Sequence, residues 1–228
     1  MKNTEKLLYL LAFIFMIINL YLIFLYAPPE KVMGDIQRIF YFHLSCAFIA
    51  FLSFLIVFIS SILYLWKRNY LWDTLAYCST EIGVIFTSLM LLTGSIWARP
   101  IWGAWWTWDP RLTTALVLWF LYMAYLLLRS QLKPGHDRAR FCAVYGIIAF
   151  IDVPFVFMSI HWWRSIHPVI FKGVDAQIDP SMIKTLIFSL LTFLIFYWIL
   201  LTLRFKIENL RNQIEILKQN TKIWRNTL

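Results

Sequence analysis

The chain has 228 residues, with 21 Lys and Arg against 12 Asp and Glu, a formal net charge of +9. Apolar residues make up 61% of it and charged residues only 14%, against roughly 25% charged in an average soluble domain. Mean hydropathy is +0.69. Such a chain cannot cover a water-facing surface with polar groups. Soluble globular, disordered and fibrous classes are excluded, and an all-α polytopic membrane protein is expected. The three cysteines, Cys46, Cys78 and Cys142, form no CxxC or CxxCH. A redox dithiol, a zinc knuckle and a covalently attached c-type haem in this chain are thereby excluded. In a membrane protein Lys and Arg mark the cytoplasmic side, so the positive charge is no sign of nucleic-acid binding.

A spanning helix needs about 20 mostly apolar residues. Six such stretches are predicted: 7–26, 44–66, 79–97, 112–129, 141–161 and 182–203. The first is too long for a signal-peptide core. It ends in Tyr26-Ala27-Pro28-Pro29-Glu30 with no small-residue cleavage pattern, so it is expected to remain. Counted by alternate loops, 14 Lys and Arg fall on the side of the termini and 7 on the other. The bias places the N- and C-termini in the cytoplasm. The 27–43, 98–111 and 162–181 loops then face outward.

The chain divides into a six-helix transmembrane domain, 1–203, and a basic tail, 204–228. In the tail Ile207, Leu210, Ile214, Leu217 and Trp224 follow an a/d spacing broken by Thr221. The tail carries six basic and two acidic residues. An amphipathic helix on the anionic inner leaflet is expected; a short coiled coil with a partner is the alternative.

The densest feature is WARPIWGAWWTWDPRLT, 97–113. Trp97, Trp102, Trp105, Trp106 and Trp108 fall within twelve residues. An interfacial aromatic belt needs one or two Trp per helix end, and no run of five. If 101–108 is helical, Trp102, Trp105 and Trp106 share a face at i, i+3 and i+4. A short interfacial Trp-rich helix is therefore expected outside, forming a flat aromatic shelf. Asp109 is a good N-cap for the fourth span, with Pro110 at its first position. Arg99 and Arg111 flank the shelf. Guanidinium groups pair carboxylates bidentately and stack on aromatic planes. A rigid apolar shelf between arginines suits a large planar ligand carrying carboxylates. A quinone lacks the carboxylates; a porphyrin has two propionates.

Three of four histidines lie on the same side as the shelf. His43 sits in DIQRIFYFHLS before span two. His161 and His167 bracket SIHWWRSIHPVI after span five. His136 lies in the basic cytoplasmic loop. A porphyrin iron takes one or two axial imidazoles. His43 and His167 come from different loops and could approach opposite faces of one ring. Pro168 biases His167 out of helical geometry. His43 and His167 are the expected ligands, with His161 the alternate.

Glu81 and Asp152 lie inside spans, where an acid is a functional candidate by default. Glu81 is near the cytoplasmic end of span three and could reach water. Asp152 precedes Val153-Pro154, and a protonated Asp152 could donate to the carbonyl that Pro154 frees. No GxxxxGK[ST] loop is present, so an ATP-driven step would come from a partner. Two alternatives to haem binding remain open. One is a secondary transporter working through Asp152 and Glu81, although no internal repeat or paired broken helices support it. The other is a structural subunit whose Trp loop only docks a partner.

The segment WGAWWTWDPRLTTALVLWFLYMAYLLLR, 102–129, resembles the tryptophan-rich signature of the haem-handling protein superfamily. FYFHLS around His43, LLTGSIWARPIWG before the signature, and SIHWWRSIHPV around His167 extend the resemblance to the cytochrome c maturation protein C family (CcmC, or haem exporter protein C). The resemblance implies an inner-membrane protein holding haem b (iron protoporphyrin IX) at the periplasmic face, with His43 and His167 as axial ligands. It implies a haem platform of Trp102 to Trp108, with Asp109 and its neighbours Trp97 and Gly103, and a handover of haem to a periplasmic chaperone of the CcmE kind. A small single-span protein (CcmD-like) and an ABC transporter (CcmA/CcmB-like) are the further partners it implies, and an enzymatic role is not expected. Candidate propionate partners are Arg38, Arg99, Arg111 and Arg164.

Overall fold

The computed structural model describes residues 3–167 and 179–226, and every regular element is helical. Six helical segments are long and apolar enough to cross a membrane. The first is α1, Asn3–Tyr21, extended by a wider helical turn at Leu22–Tyr26. A short 3₁₀ turn, Asp35–Arg38, leads into α2, Ile39–Lys67. Next come α3, Tyr70–Trp102, and α4, Pro110–Gln131. The fifth crossing is split into α5, His136–Phe150, and α6, Asp152–Trp162. The last is α7, Pro180–Asn226. An even number of crossings leaves residues 3 and 226 at one end of the bundle. Pro168, invoked from sequence, lies outside the described residues.

Local chemistry sets the helix ends. Arg68 adopts φ 52° to close α2, and the Asn69 side chain accepts the Leu71 N–H at 2.9 Å to open α3. Asp109 caps α4, with Pro110 at its first position, as expected. The fifth crossing breaks at Ile151 because Pro154 has no N–H to return to the carbonyl of Phe150. α7 continues unbroken through residue 204, so the tail is the end of the last spanning helix. Ile207, Leu210, Ile214 and Leu217 are all exposed along it.

α2 lies at the centre and packs most extensively on α3, then on α5 and α7. Hydrocarbon offers helices no hydrophobic reason to associate, so close packing over small residues supplies the attraction. A Cβ added at Gly83 on α3 would sit 2.6 Å from the Phe54 ring and 2.9 Å from Ser53 Cβ. One added at Gly146 on α5 would sit 2.9 Å from Ser61 Oγ. Phe54 in turn stacks on Tyr122 of α4, centroids 3.6 Å apart. Ser79 joins three helices, donating to the Ser53 carbonyl at 3.0 Å and meeting the Tyr197 hydroxyl at 2.8 Å. α1 is peripheral. It stacks Phe15 on Phe188 of α7 and accepts the Ser189 hydroxyl on Asn19 at 2.7 Å.

Buried charges are paired. Arg129 donates to both oxygens of Asp73, at 2.7 and 2.8 Å, with both side chains almost wholly buried. Glu81 does not stand free toward water. It ion-pairs with Arg204 of α7 at 2.7 Å, and Arg204 also holds Glu208 at 3.0 Å. Asp152 makes no bond to a freed carbonyl; its Oδ2 is buried with no partner among the described residues.

Overpacking a tight helix contact costs about 1–3 kcal/mol. Gly83→Val is expected to lower the melting temperature of the detergent-solubilised protein by several degrees in a thermal-shift assay.

Candidate functional site

At the end of the bundle opposite the termini, α2, α3, α4 and the segment after α6 enclose a pocket. Its cavity volume is about 100 Å³, and it opens to solvent. His43 and His167 both line it, as do Trp97, Trp102, Trp106 and Arg111. Met90, Leu112 and Val156 supply apolar wall.

His43 lies inside α2, about one turn from its start, rather than in the loop before it. Its Nδ1 is 3.1 Å from the Met90 carbonyl and 3.2 Å from Thr93 Oγ1. A carbonyl only accepts, so Nδ1 carries the proton and Nε2 keeps its lone pair. This is the arrangement that orients a metal-binding imidazole. Gly94 makes the ring's place. A Cβ there would sit 3.1 Å from His43 Cε1. The Trp97 ring lies 5.9 Å away, centroid to centroid.

His167 is held from a loop. The buried Asp109 carboxylate accepts the Arg111 N–H at 2.9 Å, the Ser165 hydroxyl at 2.9 Å and the Ile166 N–H at 2.8 Å. The His167 N–H donates to Ser165 Oγ at 3.0 Å. The His167 ring packs edge-on to Trp102, centroids 6.5 Å apart. Asp109 thus caps α4 and fixes the His167 segment with one carboxylate. Sequence reasoning found the cap and missed the second task, because its partners lie more than fifty residues away.

The expected Trp-rich helix at 101–108 does not form. α3 continues through Trp97 and Arg99 to Trp102, and Gly103 then ends it at φ 74°. Residues 103–105 bend and 106–109 form no regular element. The i, i+3, i+4 shelf is therefore absent, and the tryptophans divide. Trp97, Trp102 and Trp106 face the pocket. Trp105 and Trp108 are exposed, at 59% and 76%, with Trp108 edge-on to Trp106 at 5.9 Å.

The arginines divide too. Arg111 lines the pocket, and its guanidinium has no hydrogen-bond or ion-pair partner among the described residues. Arg38 is held by Asp35 at 2.8 Å and by the carbonyls of Ile23 and Ala27. Arg99 donates to the Gly103 carbonyl. Neither lines the pocket. Arg164 and His161 are exposed and lie outside it as well. His136 contacts Tyr64 and Tyr70 at the far end of the bundle. Met33 reaches the pocket from the 30–34 turn, which Glu30 closes by accepting the N–H groups of Met33 and Val32. Those two bonds, Met33's foremost, hold the Glu30 carboxyl below its ordinary pKa.

Residues 1–220 match a family model described as "Heme exporter protein C". The chain belongs to that family. Similar proteins named Heme exporter protein C occur in Bradyrhizobium diazoefficiens, 30% identical over 84% of this chain and 74% of the relative, and in Haemophilus influenzae, 31% identical over 82% and 76%. A "Putative cytochrome c biosynthesis ccmC-like mitochondrial protein" of Marchantia polymorpha is 31% identical over 72% of this chain and 70% of its own length. For a Heme exporter protein C, the pocket joining His43 and His167 is the feature that family membership alone would leave unplaced.

A hydrogen bond to a buried carboxylate contributes about 1.5–3 kcal/mol, and tenfold in an opening equilibrium is 1.4 kcal/mol. Asp109→Ala is expected to speed amide exchange in the 163–167 segment by tenfold or more. The check is hydrogen–deuterium exchange with mass spectrometry, with peptides from the middle of α2 unchanged.

Proposed function

We propose that this protein holds haem b at the periplasmic face of the bacterial inner membrane, between His43 and His167, and delivers it to a periplasmic haem chaperone of the CcmE kind for cytochrome c assembly. The observation that carries the reading is one pocket lined by two imidazoles from separate segments, three indoles and a guanidinium. The family name and the haem-handling signature point the same way.

The residues present fit such a cargo. The wall is largely apolar, as a porphyrin face requires. The indole N–H groups of Trp97 and Trp106 are buried without partners among the described residues. Together with Arg111 they offer three donors to carboxylates in an apolar setting, where charge-assisted bonds are strong. Arg111 is the propionate partner this geometry favours over Arg38, Arg99 and Arg164. The iron supplies the Lewis acidity that imidazole nitrogens satisfy. The chain's own part is positional. Met90 and Thr93 fix the proton on His43 Nδ1, and Asp109 fixes the loop carrying His167.

The exposed Trp105 and Trp108 stand outside the pocket beside it, together with Trp162 and Trp163 at the end of α6. Exposed tryptophans near a ligand mouth are the anchors a protein partner uses. In this reading they dock the chaperone, while Trp97, Trp102 and Trp106 contact haem. A small single-span protein and an ABC transporter of the CcmA/CcmB kind complete the assembly. The transporter alternative loses support because Glu81 is held by Arg204. The K/R bias supports cytoplasmic termini and an outward-facing pocket.

Purified protein from haem-replete cells is expected to show a Soret band with low-spin bis-imidazole features. His43→Ala and His167→Ala should each reduce haem retention at least tenfold, while His161→Ala and His136→Ala leave it unchanged. Retention undiminished in both of the first two variants would remove the ligand assignment. The double variant Trp105→Ala with Trp108→Ala should keep the Soret band yet lose most chaperone co-purification.

A further inference from the structure

A second cavity lies at the opposite end of the bundle, where α3 begins and α4 ends. It has a volume of about 360 Å³, opens to solvent, and is lined by polar groups that include Arg129, Ser130, Arg138, Glu208, Arg211 and Asn212. Leu126, Leu132 and Pro134 form its apolar side.

The charge inventory of this region does not close. Three acids pack here. Asp73 is taken by Arg129 through two bonds. Glu81 and Glu208 are both taken by Arg204. The Arg129 and Arg204 guanidinium groups also lie against the Tyr77 ring, at 4.4 and 5.2 Å. Arg204 thus shares one positive charge between two carboxylates, and with Arg138 and Arg211 the four arginines exceed these three carboxylates by one. Arg138 and Arg211 line the cavity with no ion-pair partner among the described residues. Arg138 Nε is shielded from solvent and has no hydrogen-bond partner among them. A guanidinium N–H shielded from water and left without an acceptor is unfavourable. Asp137, beside Arg138 in sequence, does not line the cavity.

We propose that this cavity binds a phosphate group, with Arg138 and Arg211 as its cationic clamp and Ser130 and Asn212 as neutral donors. Guanidinium forks match phosphate oxygens. A basic pocket between spanning helices at the membrane surface is a known form of lipid headgroup site. Leu126, Leu132 and Pro134 give an acyl-bearing ligand an apolar wall. The shared chemistry is a phosphate oxyanion; its source is either an anionic phospholipid or a soluble phosphate.

The test uses the full chain purified in detergent, with variants Arg138→Gln, Arg211→Gln and the double, and Lys133→Gln as a charge control off the cavity. Native mass spectrometry measures retention of cardiolipin against phosphatidylcholine. A thermal-shift titration with inorganic phosphate reports the soluble source. Preferential cardiolipin retention, falling at least tenfold in the double variant and unchanged by Lys133→Gln, supports a lipid headgroup. A phosphate-dependent rise in melting temperature that the double variant loses supports a soluble ligand. If the double variant does not fold, Arg211→Gln, which alters an exposed side chain, carries the same comparison. Equal retention of both lipids with no phosphate effect, or an equal loss in Lys133→Gln, overturns the proposal.

Discussion

Both carboxylate oxygens of Asp109 are committed, to the first turn of α4 on one side and to Ser165 and Ile166 on the other. That link decides where His167 can stand. Beside it, the edge contact of Trp102 with His167 joins the residues after α6 to the Trp-rich segment. A buried carboxylate costs free energy unless it is fully hydrogen-bonded. Here the bonds come from two distant segments, so satisfying the charge also closes one wall of the pocket.

His43 is positioned by a different device. The α2–α3 contact is close because Gly83 and Gly94 carry no side chain. The first glycine lets the helices meet at mid-membrane. The second leaves room for an imidazole between them at one end, where the Met90 carbonyl and the Thr93 hydroxyl hold its Nδ1. The two imidazoles are thus held differently. His43 stands on a packed helix, and His167 on a loop tied by Asp109 and Ser165. The opposite end of the bundle is held by ion pairs rather than glycines, through Asp73 with Arg129 and Glu81 with Arg204.

Hydropathy located the centre of each crossing, because apolar content alone decides which residues can lie in hydrocarbon. It did not locate the ends. α3 starts at Tyr70 and reaches Trp102, since the Asn69 cap and the Gly103 turn extend the helix beyond its apolar run. The same Gly103 defeats the helical shelf: a residue at φ 74° terminates a helix, and the spacing of Trp102, Trp105 and Trp106 no longer describes a shared face. The asymmetry between Trp106 and its exposed neighbours Trp105 and Trp108 follows from that irregular stretch. His43 and His167 were legible as a pair from their loops and from the family resemblance. The partners that orient them were not. Thr93, Gly94 and Met90 are ordinary residues of an apolar helix, and only the packing of α2 on α3 gives them a task. Counting Lys and Arg by loop likewise treated Arg129 and Arg204 as surface charges, although each holds a carboxylate inside the bundle.

The account rests on a cargo spanning two named nitrogens. The most direct measurement is an experimental density map of the haem-loaded protein in a lipid nanodisc, at a resolution that separates side chains. The account predicts planar density in the pocket between α2 and the segment after α6, continuous at the metal with His43 on one face and His167 on the other. Density on the lipid-facing side of the tryptophans, or metal density joined to neither imidazole, would contradict it.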